Sequence, residues 1–173
     1  LDAAERGAEL TARMLSFARE QKLHPIHLCI NKSLRDVKNL LEKAMGDGIT
    51  LKLDLGKDPP ELYVDKVQLE TSLINFAVNA RDAMEDGGTF TIKTRKIKTA
   101  RKTRDFKGKK PLPGTYALIE LCDTGTGIDD EILERIFDPF FTTKAPGKGT
   151  GLGLSMIFGF VEQSGGFMQI DSN

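Results

Sequence analysis

Cysteine is scarce in this chain: Cys29 and Cys122 stand far apart and in no CxxC spacing. Neither a disulfide framework nor a zinc site is indicated, and two free, buried thiols in a reducing compartment are expected. Long apolar runs are also missing. No stretch approaches the roughly 18 residues of a membrane span, and the opening LDAAERGAEL lacks the build of a secretory leader. Internal repeats are absent. So is net charge, because 25 basic side chains cancel 25 acidic ones. What is there is ordinary: 173 residues, 39% hydrophobic and 29% charged, the composition of one globular domain with a short appendage. A chain of that length buries roughly 70% of the surface its unfolded form exposes, so its core needs no metal or disulfide staple. A soluble, cytoplasmic domain with no membrane contact of its own is the expectation.

The zero net charge hides an asymmetry. Between Lys93 and Lys110 lie ten basic residues and one acid, Asp105, a local charge of +9 that the rest of the chain offsets with −9. A solvated hairpin loop accounts for the run. A nucleic-acid-binding arm is the competing reading, weakened by the presence of a single aromatic, Phe106, for stacking on bases.

The first twenty residues read as an amphipathic helix, with Ala3, Gly7, Leu10, Met14 and Phe17 at alternating steps of four and three, a seam that asks for a partner helix. It is expected to end near Gln21, before a turn at His24 and Pro25. A second helix runs from Asn31, taken as its cap, to Met45, and Gly46 and Gly48 stop it. Ile49, Leu51, Leu53 and Leu55 alternate with polar residues as a half-buried strand does, and Pro59-Pro60 closes it. The pattern then predicts a helix over 65–86 ended by Gly87-Gly88, strands over 89–98 and 115–122 joined by the basic connection, and a short helix over 130–136. A helix over 152–163 and a last strand over 167–171 complete the chain. Mixed helices and strands without strict alternation imply an α+β, two-layer sandwich with helices on one face of a mixed sheet.

Three constellations carry chemistry. On the 65–86 helix, Gln68, Thr71, Asn75, Asn79, Asp82 and Asp86 follow at steps of three or four and form one polar stripe, while Val67, Leu73, Ile74, Ala77, Ala80 and Met84 occupy the rest. Asparagine is a poor helix former, so two of them at i and i+4 either satisfy backbone groups in a helix–sheet interface or offer neutral amide oxygens to a cation such as magnesium. After the second hairpin strand stands DTGTGI, Asp123 to Ile128. An ionised Asp accepts hydrogen bonds and donates none, which suits the exocyclic amine of adenine and rejects the carbonyl of guanine. A turn or a calcium loop has a similar pattern. Finally GKGTGLGLS, Gly147 to Ser155, runs into a helix and exposes backbone N–H groups to an anion at its amino end, without the spacing of a P-loop or Rossmann fingerprint. Between these lies IFDPFFTTK, Ile136 to Lys144, whose aromatics either pack the core or anchor a mobile lid.

In this order the motifs resemble the ATP-binding catalytic domain of bacterial sensor histidine kinases, in the GHKL ATPase superfamily: NFAVNARDAM (75–84) the N box, DTGTGI the first glycine box, FDPFFTTK the F box and GKGTGLGLS the second glycine box. The first helix, with ERGAELTARMLSFAREQKLHP, resembles the second helix of that family's dimerisation and phosphotransfer hairpin. The resemblance implies a Bergerat-type fold divided into a hairpin helix over 1–21, a linker over 22–30 and a catalytic domain over 31–173. It implies ATP and Mg2+ as cofactors, with Asn79 coordinating the metal and Asn75 nearby or sharing it. Asp123 would bind the adenine amine, with Gly125, Gly127 and Ile128 shaping its pocket. Lys144, Lys148, Gly149, Thr150, Gly151, Leu152 and Gly153 would serve the phosphates and the lid hinge, and Asp82 the nucleotide. Thr124 stands where the first glycine box usually has Asn.

The acceptor histidine of such kinases is followed by an acid, whereas His24 precedes Pro25 and His27 precedes Leu28. The expected chemistry is therefore transfer of the γ-phosphoryl to a histidine outside this chain, in a fragment of a longer, homodimeric kinase whose partner is a response regulator or receiver domain. Relatives that hydrolyse ATP carry Glu four residues before the metal-binding Asn, and here that position is Asn75. Lacking that general base, hydrolysis loses typically ~10²- to 10⁴-fold, which ranks an ATPase of the chaperone or topoisomerase type as the alternative.

Overall fold

The computed structural model describes residues 23–99, 111–145 and 149–172. The helix expected over 1–21, residues 100–110 of the basic run and Lys148 lie outside the described residues.

Helix α1 spans Ile30–Met45 and buries Ile30, Leu34, Val37, Leu41 and Met45, one stripe at steps of three and four. Asn31 is not its cap. Cys29 holds that position without a side-chain bond, and Asn31 is buried in the first turn, where its Nδ2 donates to the Gly56 carbonyl at 2.8 Å. Cys29 itself is exposed and Cys122 half-buried, so neither thiol is buried as expected. Thr94 Oγ1 donates to Asn31 Oδ1 at 2.7 Å and accepts from Gly56 N–H at 3.0 Å, closing a ring of polar groups inside the core. A side chain that links three separated segments is worth more there than at a solvated helix end.

Two short strands do not show in the sequence pattern: β1, Pro25–Leu28, in the segment expected as turn and linker, and β3, Leu62–Asp65, just before the long helix. They pair antiparallel, Pro25 with Asp65 and Leu28 with Leu62. Four residues are too few to establish a period, and a proline is tolerated as the first residue of a strand. Between them, strand β2, Ile49–Leu55, alternates half-buried and exposed residues as its sequence predicts.

Helix α2 spans Lys66–Ala83. Its cap, Asp65, accepts from Gln68 N–H at 3.0 Å through one oxygen and from His24 N–H at 2.8 Å through the other, so one buried carboxylate ties the entry of β1 to the start of α2. The His24 bond first, then that of Gln68, holds its carboxyl below the ordinary value. A lowered folded pKa gives stability that is complete at neutral pH and lost as pH falls through it. Asp65→Ala is accordingly expected to destabilise by about 1–2 kcal/mol at neutral pH. Urea unfolding at about pH 7 and about pH 3 should show the gap between the two chains narrowing in acid.

The helix stops three residues before Asp86, which is therefore not on the polar stripe. Thr126 N–H takes the Ala83 carbonyl at 3.1 Å, and Gly87 N–H takes that of Met84 at 2.9 Å, so the following loop supplies the partners that another helical turn would have used. Val67, expected on the apolar side, is 66% exposed.

Strand β4, Gly88–Lys98, is central in a three-stranded sheet, parallel to β2 and antiparallel to β5, Thr115–Cys122. Leu53 pairs with Ile92, which pairs with Leu121, and the inward faces of these strands meet α1 and α2 in the main core around Phe90, Leu34, Leu41 and Leu73. The other sheet face carries ion pairs between Lys93 and Glu120 and between Arg95 and Asp54. Helix α3 is only Asp130–Leu133, and α4 is Gly153–Gln163, packed on α2. No strand forms over the described residues of 167–171. Met168 and Ile170 do face inward, onto a second small core of Ile136, Phe137 and Phe158, but the segment has no ladder partner among the described residues and is pinned instead by Ile128 N–H donating to Ser172 Oγ at 2.7 Å. The result is the expected two-layer arrangement of helices over a mixed sheet.

Candidate functional site

The four motifs meet at the carboxyl end of α2. Steps of four and three place Asn75, Asn79 and Asp82 on one face of that helix, all half-buried. Neither asparagine bonds a backbone group among the described residues. Asn79 Oδ1 accepts from Lys144 Nζ at 3.4 Å, and the same ammonium forms a short ion pair with Asp82 Oδ2. The other Asp82 oxygen takes Nε and Nη2 of Arg81 at 3.0 and 2.8 Å, and Arg81 Nη1 donates to the Ala44 carbonyl near the end of α1 at 3.0 Å. Burial pushes the Asp82 carboxyl up, but the bonds from Lys144 and Arg81 outweigh it and hold the group below its ordinary value. The Asp82 carboxyl is therefore ionised throughout the neutral range.

Asp123 follows β5 directly and is exposed, with Oδ1 accepting from Gly125 N–H at 2.9 Å and Oδ2 without a hydrogen-bond partner among the described residues. Its loop lies against the end of α2: a Cβ on Gly125 would fall 2.6 Å from the Ala83 carbonyl oxygen, so only glycine fits. Thr124 Oγ1 accepts from Thr89 N–H at 3.1 Å and donates to Met84 Sδ at 3.5 Å. This residue, at the position usually held by Asn, works as a strut between β4 and the end of α2.

The rings of the aromatic motif differ in burial. Phe137 is buried in the second core, Phe141 is half-buried under the Arg135 guanidinium at 4.5 Å, and Phe140 is 48% exposed. Phe140 N–H donates to the Gly151 carbonyl at 2.9 Å, joining the two ends of the intervening segment at a neck. Beyond it, Gly153 opens α4 with the place of its absent Cβ 3.9 Å from Asn79 Nδ2, so the amino end of an eleven-residue helix stands beside Asn79. Leu152 is 1% exposed and packs inward, and Ile128 packs on the second core, so their side chains serve the fold. Gly149 and Thr150 are half-buried, the place of Gly149's absent Cβ lying 2.9 Å from Thr142 Oγ1 and 3.1 Å from Lys144 Cδ, and Gly127 turns the first glycine box with φ of 74°.

Asn75, Asn79, Asp82, Lys144 and Gly153 thus come together, and Asp123 with Gly125 approaches the same helix end. Sequence reasoning misses Arg81. Its guanidinium on Asp82 is a contact between sequence neighbours, but its anchor on Ala44 is 37 residues away and leaves no periodic trace. A magnesium ion fits the donors present. The two amide oxygens are hard and neutral, and one already carries an ammonium, so this face holds cations.

Over residues 64–173 the chain matches the family described as Histidine kinase-, DNA gyrase B-, and HSP90-like ATPase, and it belongs to that family. Among its relatives, Sensor kinase CckA of Brucella abortus is 46% identical over 98% of this chain and 18% of CckA. Sporulation kinase E of Bacillus subtilis is 30% identical over 97% of this chain and 21% of that kinase. The catalytic domain of histidine kinase ThkA superimposes with a TM-score of 0.60 at 26% identity, covering 82% of each chain. ThkA in complex with response regulator protein TrrA shares the fold over 95% of this chain and 42% of that one, at 22% identity and a TM-score of 0.66. The chain is thus a histidine kinase-type ATPase domain, homologous to sensor kinases, and it spans about a fifth of the length of these curated relatives.

Proposed function

We propose that this chain is the Mg-ATP-binding catalytic domain of a two-component sensor histidine kinase, which passes the γ-phosphoryl of ATP to a histidine outside these 173 residues. The observation that carries the reading is the convergence of Asn79, Asp82 and Lys144 beside the amino end of α4, from motifs more than 60 residues apart. Asn79, with Asn75 one turn earlier, would hold magnesium. When bound, the metal neutralises phosphate charge and polarises the transferring group. Asp123 Oδ2 accepts from the adenine amine while Gly125 N–H keeps the other oxygen in place. The first turn of α4 and the Lys144 ammonium face the phosphates. Asn75 supplies no proton acceptor, so transfer to a positioned imidazole is favoured over hydrolysis by water.

The pairing of β1 with β3 supports moving the start of the catalytic domain back to about residue 23 and leaves the preceding residues to the hairpin. A response regulator or receiver domain is the downstream partner in this reading, a homodimer the parent state, and the cytoplasm its location.

The test mixes the chain with a separately made fragment bearing the acceptor histidine and γ-labelled ATP. Label should reach the fragment only with Mg2+, and Asp123→Asn should weaken ATP binding and reduce the preference for ATP over GTP by at least about 10-fold. Absence of transfer, together with nucleotide binding indifferent to Asp123, would overturn the proposal.

A further inference from the structure

Asp82 sits on the face that offers ligands to the nucleotide and its metal, yet its contacts leave it little to offer. One oxygen is occupied by two Arg81 nitrogens and the other by Lys144 Nζ, and Arg81 is itself fastened to the Ala44 carbonyl. A carboxylate gripped from both sides cannot turn toward a ligand, and its charge repels phosphate. Lys144 is held unequally. Its contact with Asp82 is short and charged, while its contact with the neutral Asn79 amide is 3.4 Å long. Both partners of the ion pair are about two-thirds shielded or more, with side-chain exposures of 31% and 27%, so water does not cancel the attraction.

We propose that Lys144 is a tethered cation resting on the metal-binding amide of Asn79, that magnesium arriving with the nucleotide displaces it from Asn79, and that Asp82 is the positioning residue that keeps the displaced ammonium beside the phosphates. This deepens the reading of the chain as a Mg-ATP-binding domain and rests on it. The exchange occurs at Asn79 because that is the weaker of the two contacts. The tether at Asp82 survives, so the ammonium moves only within reach of one carboxylate. Arg81, Asp82 and Lys144 together carry a net positive charge, so the device does not repel the ligand it regulates. Two consequences have opposite signs. Resting Lys144 competes with any metal-bearing nucleotide. Once displaced, it favours the one with a γ-phosphate.

Calorimetric titration of the full chain with Mg-ADP and with the Mg complex of a non-hydrolysable ATP analogue separates them. Asp82→Asn keeps the shape of the side chain and removes the tether, and Lys144→Met removes the cation. Both should bind Mg-ADP about fivefold or more tightly than the parent, because nothing has to be displaced, and both should lose about fivefold or more of the parent's preference for the analogue over ADP. The double variant should differ little from Lys144→Met alone, and thermal melting of each confirms that the fold persists. Weaker or unchanged Mg-ADP binding in Asp82→Asn would overturn the tether and make Asp82 a direct ligand or a bystander. A parent chain that binds no magnesium nucleotide would instead overturn the functional reading on which the tether rests.

Discussion

Asn79→Ala is expected to lower phosphoryl transfer to the acceptor fragment by about 100-fold or more while leaving the domain as stable as before or slightly more so. The two effects have separate causes. Among the described residues the Asn79 side chain makes one hydrogen bond, the long one from Lys144, so truncation removes little that holds the fold. Alanine is also the better helix former by roughly 0.5 kcal/mol at this interior position of α2. The functional loss is that of a group aimed at developing charge, for which a single donor or ligand is typically worth about 100-fold, or roughly 2.7 kcal/mol of transition-state stabilisation. Transfer assays beside thermal melts would show the divergence. Loss of transfer with an equal loss of stability would mean that Asn79 is a structural residue, and retention of Mg2+-dependent nucleotide binding would remove it from the metal site.

Gly151→Ala should be the most destabilising single-methyl addition at the neck between Phe140 and Gly151, by roughly 3–6 kcal/mol. Gly151 has φ of 65°, and a Cβ there would lie 2.3 Å from the Phe140 carbonyl carbon and 2.6 Å from the Phe141 carbonyl oxygen. The left-handed backbone costs an alanine about 1–2 kcal/mol. Forcing two backbone segments apart adds overpacking of about 1–3 kcal/mol and the bond from Phe140 N–H, worth about 1 kcal/mol. Backbone cannot rotate out of the way as a side chain can. Gly159, inside α4, with open space at the place of its missing Cβ among the described residues outside its own helical turn, is the matched control. Gly159→Ala is expected to stabilise by about 0.5–1 kcal/mol, since the helix interior penalises glycine. Urea unfolding of both variants tests the contrast, and two glycines of equal cost would show that the neck is not the constrained element described.

The same contrast between local and remote causes explains where the fold is legible in the sequence. The stripe of α1, the alternation of β2 and the stop at Gly46 all depend on neighbours within a turn or two, and the sequence displays them directly. β1 and β3 escape because each is four residues long and is stabilised by the other, with partners 34 to 40 residues apart. Asn31 stands where a cap would, just before an apolar stripe, yet Gly56 and Thr94, remote in sequence, claim its amide. The pattern places the end of α2 three residues late for a similar reason, since Thr126 provides the partner for Ala83. The strand expected over 167–171 has the right alternation, but no described strand lies beside it to bond.

At the site, the chemical types and their order are already written in the sequence: amides on one helix face, a carboxylate after a strand, and glycines leading into a second helix. Those are consequences of local period and of what each side chain can donate or accept. Tertiary structure alone decided that Lys144 would rest on Asn79 and Asp82, that Arg81 would brace Asp82 from α1, and that Thr124 would act as a strut. These contacts join elements whose separation along the chain bears no relation to any helical or strand repeat. They exist only because the packed sheet and helices return those segments to one place.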